Sequence, residues 1–161
     1  MNFNLDMPQG NPDAENPELC KKYKVFLMDY TQLKTAIKRF GEMLEAYRNN
    51  TDREPLEQEA VQDSLIKRFE YTLEVAWKIC KKHLEDEGFA EAATGSPKSI
   101  IRLAAQRNFI SNPEVWFTYL RFRQDTSHDY SSDKAETVLD ITEDFYKDVI
   151  DLYRGMTGES I

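Results

Sequence analysis

The chain has 161 residues, a net charge of -8, few glycines and prolines and many charged residues, which suits one largely helical domain with a real core. A protein this acidic is not a general nucleic-acid binder, because phosphate contacts need positive charge. No apolar run reaches the ~20 residues that span a bilayer, and the N-terminus lacks a basic-then-apolar leader, so the expected location is the cytoplasm.

Residues 1–15 are polar and aperiodic and read as a flexible arm. Asn16-Pro17-Glu18 has the pattern of a helix start, with an N-cap, a first-turn proline and an acid near the positive dipole end. From there Leu19, Tyr23, Phe26, Tyr30, Leu33, Ile37, Phe40, Leu44 and Tyr47 recur at alternating steps of four and three, the seam of a bundle helix that ends at Asn49-Asn50.

Pro55 opens a second helix that should run to about Glu87, with Gly88 as its stop. It carries two apolar stripes, one through Val61, Leu65, Phe69, Thr72, Ala76, Ile79 and His83 and one through Ile66, Leu73, Trp77, Cys80 and Leu84. Two stripes imply contacts on two sides and a central place in the bundle. His83 reads as a partly buried or dipole-facing histidine near the helix end. Cys20 and Cys80 read as buried free thiols in a reducing compartment, and no Cys/His pair has metal-ligand spacing. No metal or cofactor is called for.

A loop with Ala-Ala-Thr-Gly follows, then Ser96-Pro97 caps a shorter third helix to about Asn108. Asn112-Pro113-Glu114 starts a fourth, whose aromatics Trp116, Phe117, Tyr119 and Phe122 suit a core better than a base-stacking platform. It should fray near Ser127. Ser131-Ser132-Asp133 with Glu136 forms a further capping pattern, and the last helix carries Val138, Thr142, Phe145, Val149, Leu152 and Met156 and should stop near Gly155. No segment alternates like a strand. The expected fold is all-α, an antiparallel up-and-down bundle of four long helices plus one short helix over residues 16–156, with a tail at 157–161.

Charge is uneven along this bundle. From Pro97 to Gln124 five basic residues (Lys98, Arg102, Arg107, Arg121, Arg123) meet one acid, Glu114, whereas from Asp125 onward ten acids meet three bases. Any anion-binding surface should therefore lie in 97–124, with Lys98, Arg102 and Arg121 as nucleotide- or RNA-binding candidates. The segment ends in Arg123-Gln124-Asp125-Thr126-Ser127-His128-Asp129-Tyr130. An arginine can hold a phosphate bidentately and an imidazole titrates near neutrality, a pairing suited to phosphodiester chemistry. On one straight helix the two would lie about 140° apart. They converge if the helix ends between them or if two copies meet.

Two stretches carry a family resemblance: Ser64 to Lys78 on the second helix, and the Arg123-to-Tyr130 string with its Arg-x4-His and His-x-Tyr spacing. Together with the Ser96-Pro97 start, over roughly residues 19–153, the chain resembles the nucleotidyltransferase substrate-binding proteins of the HEPN class, helical partners of minimal nucleotidyltransferases. The resemblance implies a metal-independent ribonuclease, usually a homodimer with RNA or nucleotide in the dimer cleft. His128 would act as general base or acid toward the 2′-hydroxyl and Arg123 would hold the scissile phosphate. Thr126 or Ser127 would be a further hydrogen-bonding group, and Glu70 or Arg68 would turn toward the cleft. The partner nucleotidyltransferase would silence the nuclease by transferring AMP to Tyr130, as in toxin–antitoxin pairs. One departure is Gln124, where active HEPN nucleases usually carry Asn, Asp or His. The alternatives are a non-catalytic substrate-binding subunit and a helical dimerisation scaffold. Glu74 reads as half of a surface ladder with Lys78.

Overall fold

The computed structural model describes residues 28–126 and 135–161. Six helices follow one another: α1 (Thr31–Arg48), α2 (Pro55–Asp86), α3 (Ala90–Ala93), α4 (Pro97–Gln106), α5 (Pro113–Thr126) and α6 (Ala135–Thr157). Among the described residues there is no strand. The chain is all-α, as its periodicity predicts.

Each main helix buries most of the stripe that its spacing prescribes, with Tyr47, Val61, Trp77 and Ile79 only partly buried. In α1 these are Leu33, Ala36, Ile37, Phe40 and Leu44. In α2 they include Leu65, Phe69, Thr72, Ala76 and His83 from one stripe and Ile66, Leu73, Cys80 and Leu84 from the other. Helix α2 accordingly packs against α1 and α6 as well as α4 and α5. At 32 residues it is about 48 Å long. The centre is aromatic. Phe145 meets Phe69 at 4.9 Å between ring centroids, Tyr119 at 5.2 Å, Phe40 at 5.6 Å and Trp116 at 5.7 Å. Such tilted and edge-to-face pairs each contribute about 0.5–1.5 kcal/mol beyond area burial.

Polar contacts fix the helix directions. Arg48 at the end of α1 meets Glu143 early in α6 at 2.8 Å, and Lys34 near the start of α1 reaches Glu159 at 3.9 Å. Tyr30, just before α1, bonds His83 near the end of α2. Thr126 and Arg123, at the end of α5, meet Glu70 and Glu74 of α2 in reversed order. Helices α1 and α5 therefore run against α2 and α6. At Gly41 of α1 the Tyr146 ring of α6 fills the space a Cβ would need.

The ends of the helices depart from the sequence expectations in three places. The seam from Leu19 onward suggested one helix through residues 28–30, but Met28 to Tyr30 are irregular and α1 starts at Thr31. Asp29 accepts the Thr31 amide at 2.8 Å and turns the chain there, while Met28 and Tyr30 still bury their side chains. The Asn16-Pro17 start and Cys20 lie outside the described residues. The stretch expected to be loop holds the one-turn helix α3, which seats Ala92 in the core. Gly155 does not stop the last helix, which continues to Thr157 before Gly158 at φ +74°. Gly155 instead lets the Phe109 backbone approach, whose Cα would lie 3.1 Å from an added Cβ. The starts at 55, 97 and 113 match. The Ser96 Oγ accepts the Ser99 amide and the Asn112 Oδ1 accepts the Glu114 amide.

Candidate functional site

The last turn of α5 is fixed to the middle of α2 by two glutamates one turn apart. Arg123 Nη2 lies 3.0 Å from Glu74 Oε2. The same oxygen accepts the Trp77 indole N–H at 3.2 Å, and Glu74 Oε1 meets Lys78 Nζ at 2.8 Å. Burial pushes the Glu74 carboxyl up, but the Lys78 and Trp77 hydrogen bonds and the Arg123 charge outweigh it, leaving it below the usual carboxylate range. Glu74 therefore stays ionised between two cations. The ladder with Lys78 exists, as expected, but it accounts for only part of what Glu74 does.

One turn back, Glu70 Oε1 lies 2.8 Å from the Thr126 hydroxyl, and Oε2 lies 2.9 Å from Lys67 Nζ. Thr126 Oγ1 is also 3.1 Å from the Arg123 carbonyl, so its single proton serves one acceptor at a time. With side-chain exposures of 16% for Glu70, 27% for Glu74 and 42% for Arg123, the group is carboxylate-floored with its cation open to solvent. Glu70 does turn toward α5. Arg68 instead lines a groove of about 380 Å³ with Met43, Lys67 and Tyr71. His128, Tyr130 and Ser127 lie outside the described residues.

The other basic candidates form a second group. Arg102 sits 5.0 Å from the Phe117 ring centre and Lys98, one turn earlier on α4, sits 6.0 Å from it. Arg121 follows Phe117 by one turn on the same face of α5 and is exposed. Phe117 is itself buried beneath these cations, so it is core, as read from the sequence, and not an open stacking platform. None of the three cations has an ion-pair partner among the described residues. Arg107, counted with them by charge, is different: it pairs with Glu87 at 3.5 Å and lies over Phe89.

A third polar group is sealed. His83, 6% exposed, shares a short hydrogen bond through Nδ1 with the Tyr30 hydroxyl and packs edge-on to Phe109. Its Nε2 faces Glu87 Oε1 at 3.6 Å, too far for a hydrogen bond. Burial lowers the His83 pKa, opposed by Glu87 and Asp86 and helped by Arg107, so the ring is held neutral. The stripe implied a partly buried histidine, and the ring is buried. Cys80 is a buried free thiol, pushed up to about 12 by desolvation.

Among the described residues no cluster of His, Cys, Asp or Glu could hold a metal ion, and no helix is long and apolar enough to cross a membrane.

An all-helical bundle with a half-exposed arginine closing one helix defines the class. The chain belongs to the family described as nucleotidyltransferase substrate binding protein like, which matches residues 28–158. It is 32% identical over 91 residues to a Haemophilus influenzae protein named "Probable ribonuclease HepT", a match covering 53% of this chain and 62% of that protein's length. Its fold is similar to a solved Haemophilus influenzae structure described as a substrate-binding domain of a nucleotidyltransferase. The TM-score is 0.73 at 23% identity, over 80% of this chain and 98% of that one.

Sequence reasoning named Arg123, and Glu70 or Arg68 as groups that would turn toward it, but missed Glu74 as the partner of Arg123. The available signal was the shared face: Glu70 and Glu74 are four residues apart, and so nearly are Arg123 and Thr126.

Proposed function

We propose that this chain is the HEPN-type subunit of a two-component, toxin–antitoxin-like system in the cytoplasm, acting as a metal-independent endoribonuclease. Two copies pair, and the cleft between them takes single-stranded RNA. Arg123 holds the scissile phosphate and the charge that develops on it. His128 takes the 2′-hydroxyl proton or returns a proton to the leaving oxygen. A partner nucleotidyltransferase adds AMP to Tyr130, and the added anion blocks the cleft by bulk and charge. Lys98, Arg102 and Arg121 guide the RNA backbone.

The observation that carries this reading is Arg123 itself. Its guanidinium is held by Glu74 yet remains 42% exposed, five residues before His128 in a family with a relative named a probable ribonuclease. Unpaired Lys98 and Arg102 on an otherwise acidic protein add a route for the backbone.

The test is expression of the chain alone and with a minimal nucleotidyltransferase, followed by growth, RNA integrity and intact protein mass. Growth arrest that His128→Ala relieves, with AMP mapped to Tyr130 on co-expression, is the expected result. A second reading is favoured by Gln124 after the motif arginine: a non-catalytic subunit that presents a nucleotide or other substrate to its partner. In that case wild-type chain leaves RNA intact and gains no mass, but still binds a nucleotide anion in a manner lost on Lys98→Ala/Arg102→Ala.

A further inference from the structure

We propose that Glu74 is the positioning residue for Arg123, fixing one edge of the guanidinium so that the other is aimed outward at a phosphate. This deepens the ribonuclease reading and rests on it for the identity of the ligand.

The case begins with what a lone arginine at this place would do. An Arg side chain carries about 2 kcal/mol of rotamer entropy, and an exposed one at a helix end samples many rotamers. Catalytic contacts need far tighter placement, since a misplacement of about 1 Å can cost about a hundredfold in rate. Here Nη2 is tied to Glu74 Oε2 at 3.0 Å. That tie is firm only if Glu74 is itself fixed, and it is. Lys78 Nζ holds Oε1 at 2.8 Å and the Trp77 indole holds Oε2 at 3.2 Å, both from α2. The carboxylate is thus oriented by its own helix before Arg123 arrives from α5.

Three features separate this from an ordinary surface pair. First, the contact crosses between helices distant in sequence, whereas Glu74 already has a local partner in Lys78 and does not need Arg123 for its own charge. Second, Glu70 and Thr126 repeat the contact one turn away, so the backbone that carries Arg123 is fixed as well as its tip. Third, two cations share one carboxylate, which leaves Lys78, Glu74 and Arg123 together with a surplus positive charge. A guanidinium has five N–H donors, so the contact through Nη2 leaves Nε and Nη1 for a second anion. Among the described residues no second acceptor occupies them.

The experiment compares wild type with Glu74→Gln, Arg123→Ala and the double variant, using two independent readouts. In protein labelled with ¹⁵N-arginine, NMR follows rotation about the Arg123 Cζ–Nη bonds. The expected result is hindered rotation in wild type and averaged signals in Glu74→Gln. In single-turnover cleavage of a short, mixed-sequence single-stranded RNA, Glu74→Gln should lower the rate about 10- to 100-fold with KM within about threefold. It should add nothing further in the Arg123→Ala background. Thermal unfolding checks that the fold is intact. Identical Arg123 signals in wild type and Glu74→Gln overturn the proposal, and so do equal rates when the wild type is active. A wild type that cuts no RNA defeats the ribonuclease reading instead, and the NMR comparison alone then decides the role of Glu74.

Discussion

Helix α2 carries two polar groups built from similar parts to opposite ends. At its C-terminal end His83, Glu87 and Arg107 lie with Tyr30 under Phe109 and Phe89, and the imidazole is closed off from water. At its middle Glu70 and Glu74 meet Arg123 and Thr126, and the guanidinium is open. Each has a glutamate on or just past α2 holding an arginine on or just past a later helix. The difference is the imidazole: His83 is 6% exposed, whereas the Arg107 and Arg123 side chains are 36% and 42% exposed. In the sealed group, burial has driven the histidine neutral and leaves His83 Nε2 and Arg107 Nε without hydrogen-bond partners among the described residues. It suits packing and offers no route for a ligand. In the open group, every carboxylate oxygen described above has a donor and the cation keeps spare ones. A residue type alone therefore says little: what differs is the setting, a buried imidazole and a covering Phe89 ring in one place and a carboxylate floor open to solvent in the other.

The sharpest way to break the comparison is to remove one cation and one imidazole. Arg123→Ala should lower RNA cleavage by about 10²–10³-fold, the usual loss for a donor that meets transition-state charge. It should cost at most about 1 kcal/mol of stability, because the lost ion pair is partly exposed. His83→Ala should do the reverse. Losing a buried ring and leaving the Tyr30 hydroxyl unpaired should cost about 2–4 kcal/mol. That lowers the melting temperature by roughly 5–15 °C in a chain of this size, while cleavage well below the transition stays at the wild-type rate. Paired denaturation and cleavage assays on both variants check this. A melting loss in Arg123→Ala as large as in His83→Ala would erase the distinction.

Acid should act on the sealed group. An unfolded imidazole titrates near 6.5, and the folded His83 lies below that because burial disfavours the charged ring. The unfolded chain therefore takes up a proton that the folded chain refuses. The stabilising contribution is complete above pH 6.5 and is lost as pH falls from there through the folded value. The difference in unfolding free energy between wild type and His83→Gln, measured from pH 7.5 to 5, should shrink in that direction. A difference that does not change with pH would show that His83 takes up its proton in the fold unopposed.

A smaller effect concerns the route to the open group. Lys98→Ala and Arg102→Ala should each weaken binding of single-stranded RNA about equally for all sequences and reduce the salt slope by about 1. Fluorescence anisotropy over a range of salt concentrations reads this directly. An unchanged slope would assign both cations to the Phe117 packing alone.

The bundle was legible because its signals are local and repeated. Leu33, Ile37, Phe40 and Leu44 fall on one face by counting alone, and Ser96-Pro97 and Asn112-Pro113 start helices by cap chemistry. Met28 to Tyr30 misled because the apolar steps continue through a turn set by one Asp29 hydrogen bond. Gly155 misled because a glycine that admits a neighbouring backbone looks the same in sequence as one that ends a helix. Of the proposed site, Arg123 was named for its spacing to His128, and Lys98, Arg102 and Arg121 for the local excess of charge. Glu74 was not. Its ladder with Lys78 satisfies the local pattern, so its tertiary partner shows only in the matched spacing of Glu70 with Glu74 and Arg123 with Thr126.

The smallest expected effect separates the two glutamates of the open group. Glu70 holds the α5 backbone end through Thr126 rather than the guanidinium, at 2.8 Å and with only 16% side-chain exposure. Removing either side of a single, mostly buried hydrogen bond costs about 0.5–1.5 kcal/mol net, and about 3 °C of melting temperature per kcal/mol. Glu70→Gln and Thr126→Val should each lose about that much, and their double variant should lose little more than one alone. Against Arg123→Ala, by contrast, Glu70→Gln should be additive, because the arginine answers to Glu74. Coupling of Glu70 to Arg123 as strong as its coupling to Thr126 would mean that the two glutamates act as one carboxylate pair on the cation. The orientation of Arg123 would then be shared between them, and the Glu74→Gln variant alone would understate it.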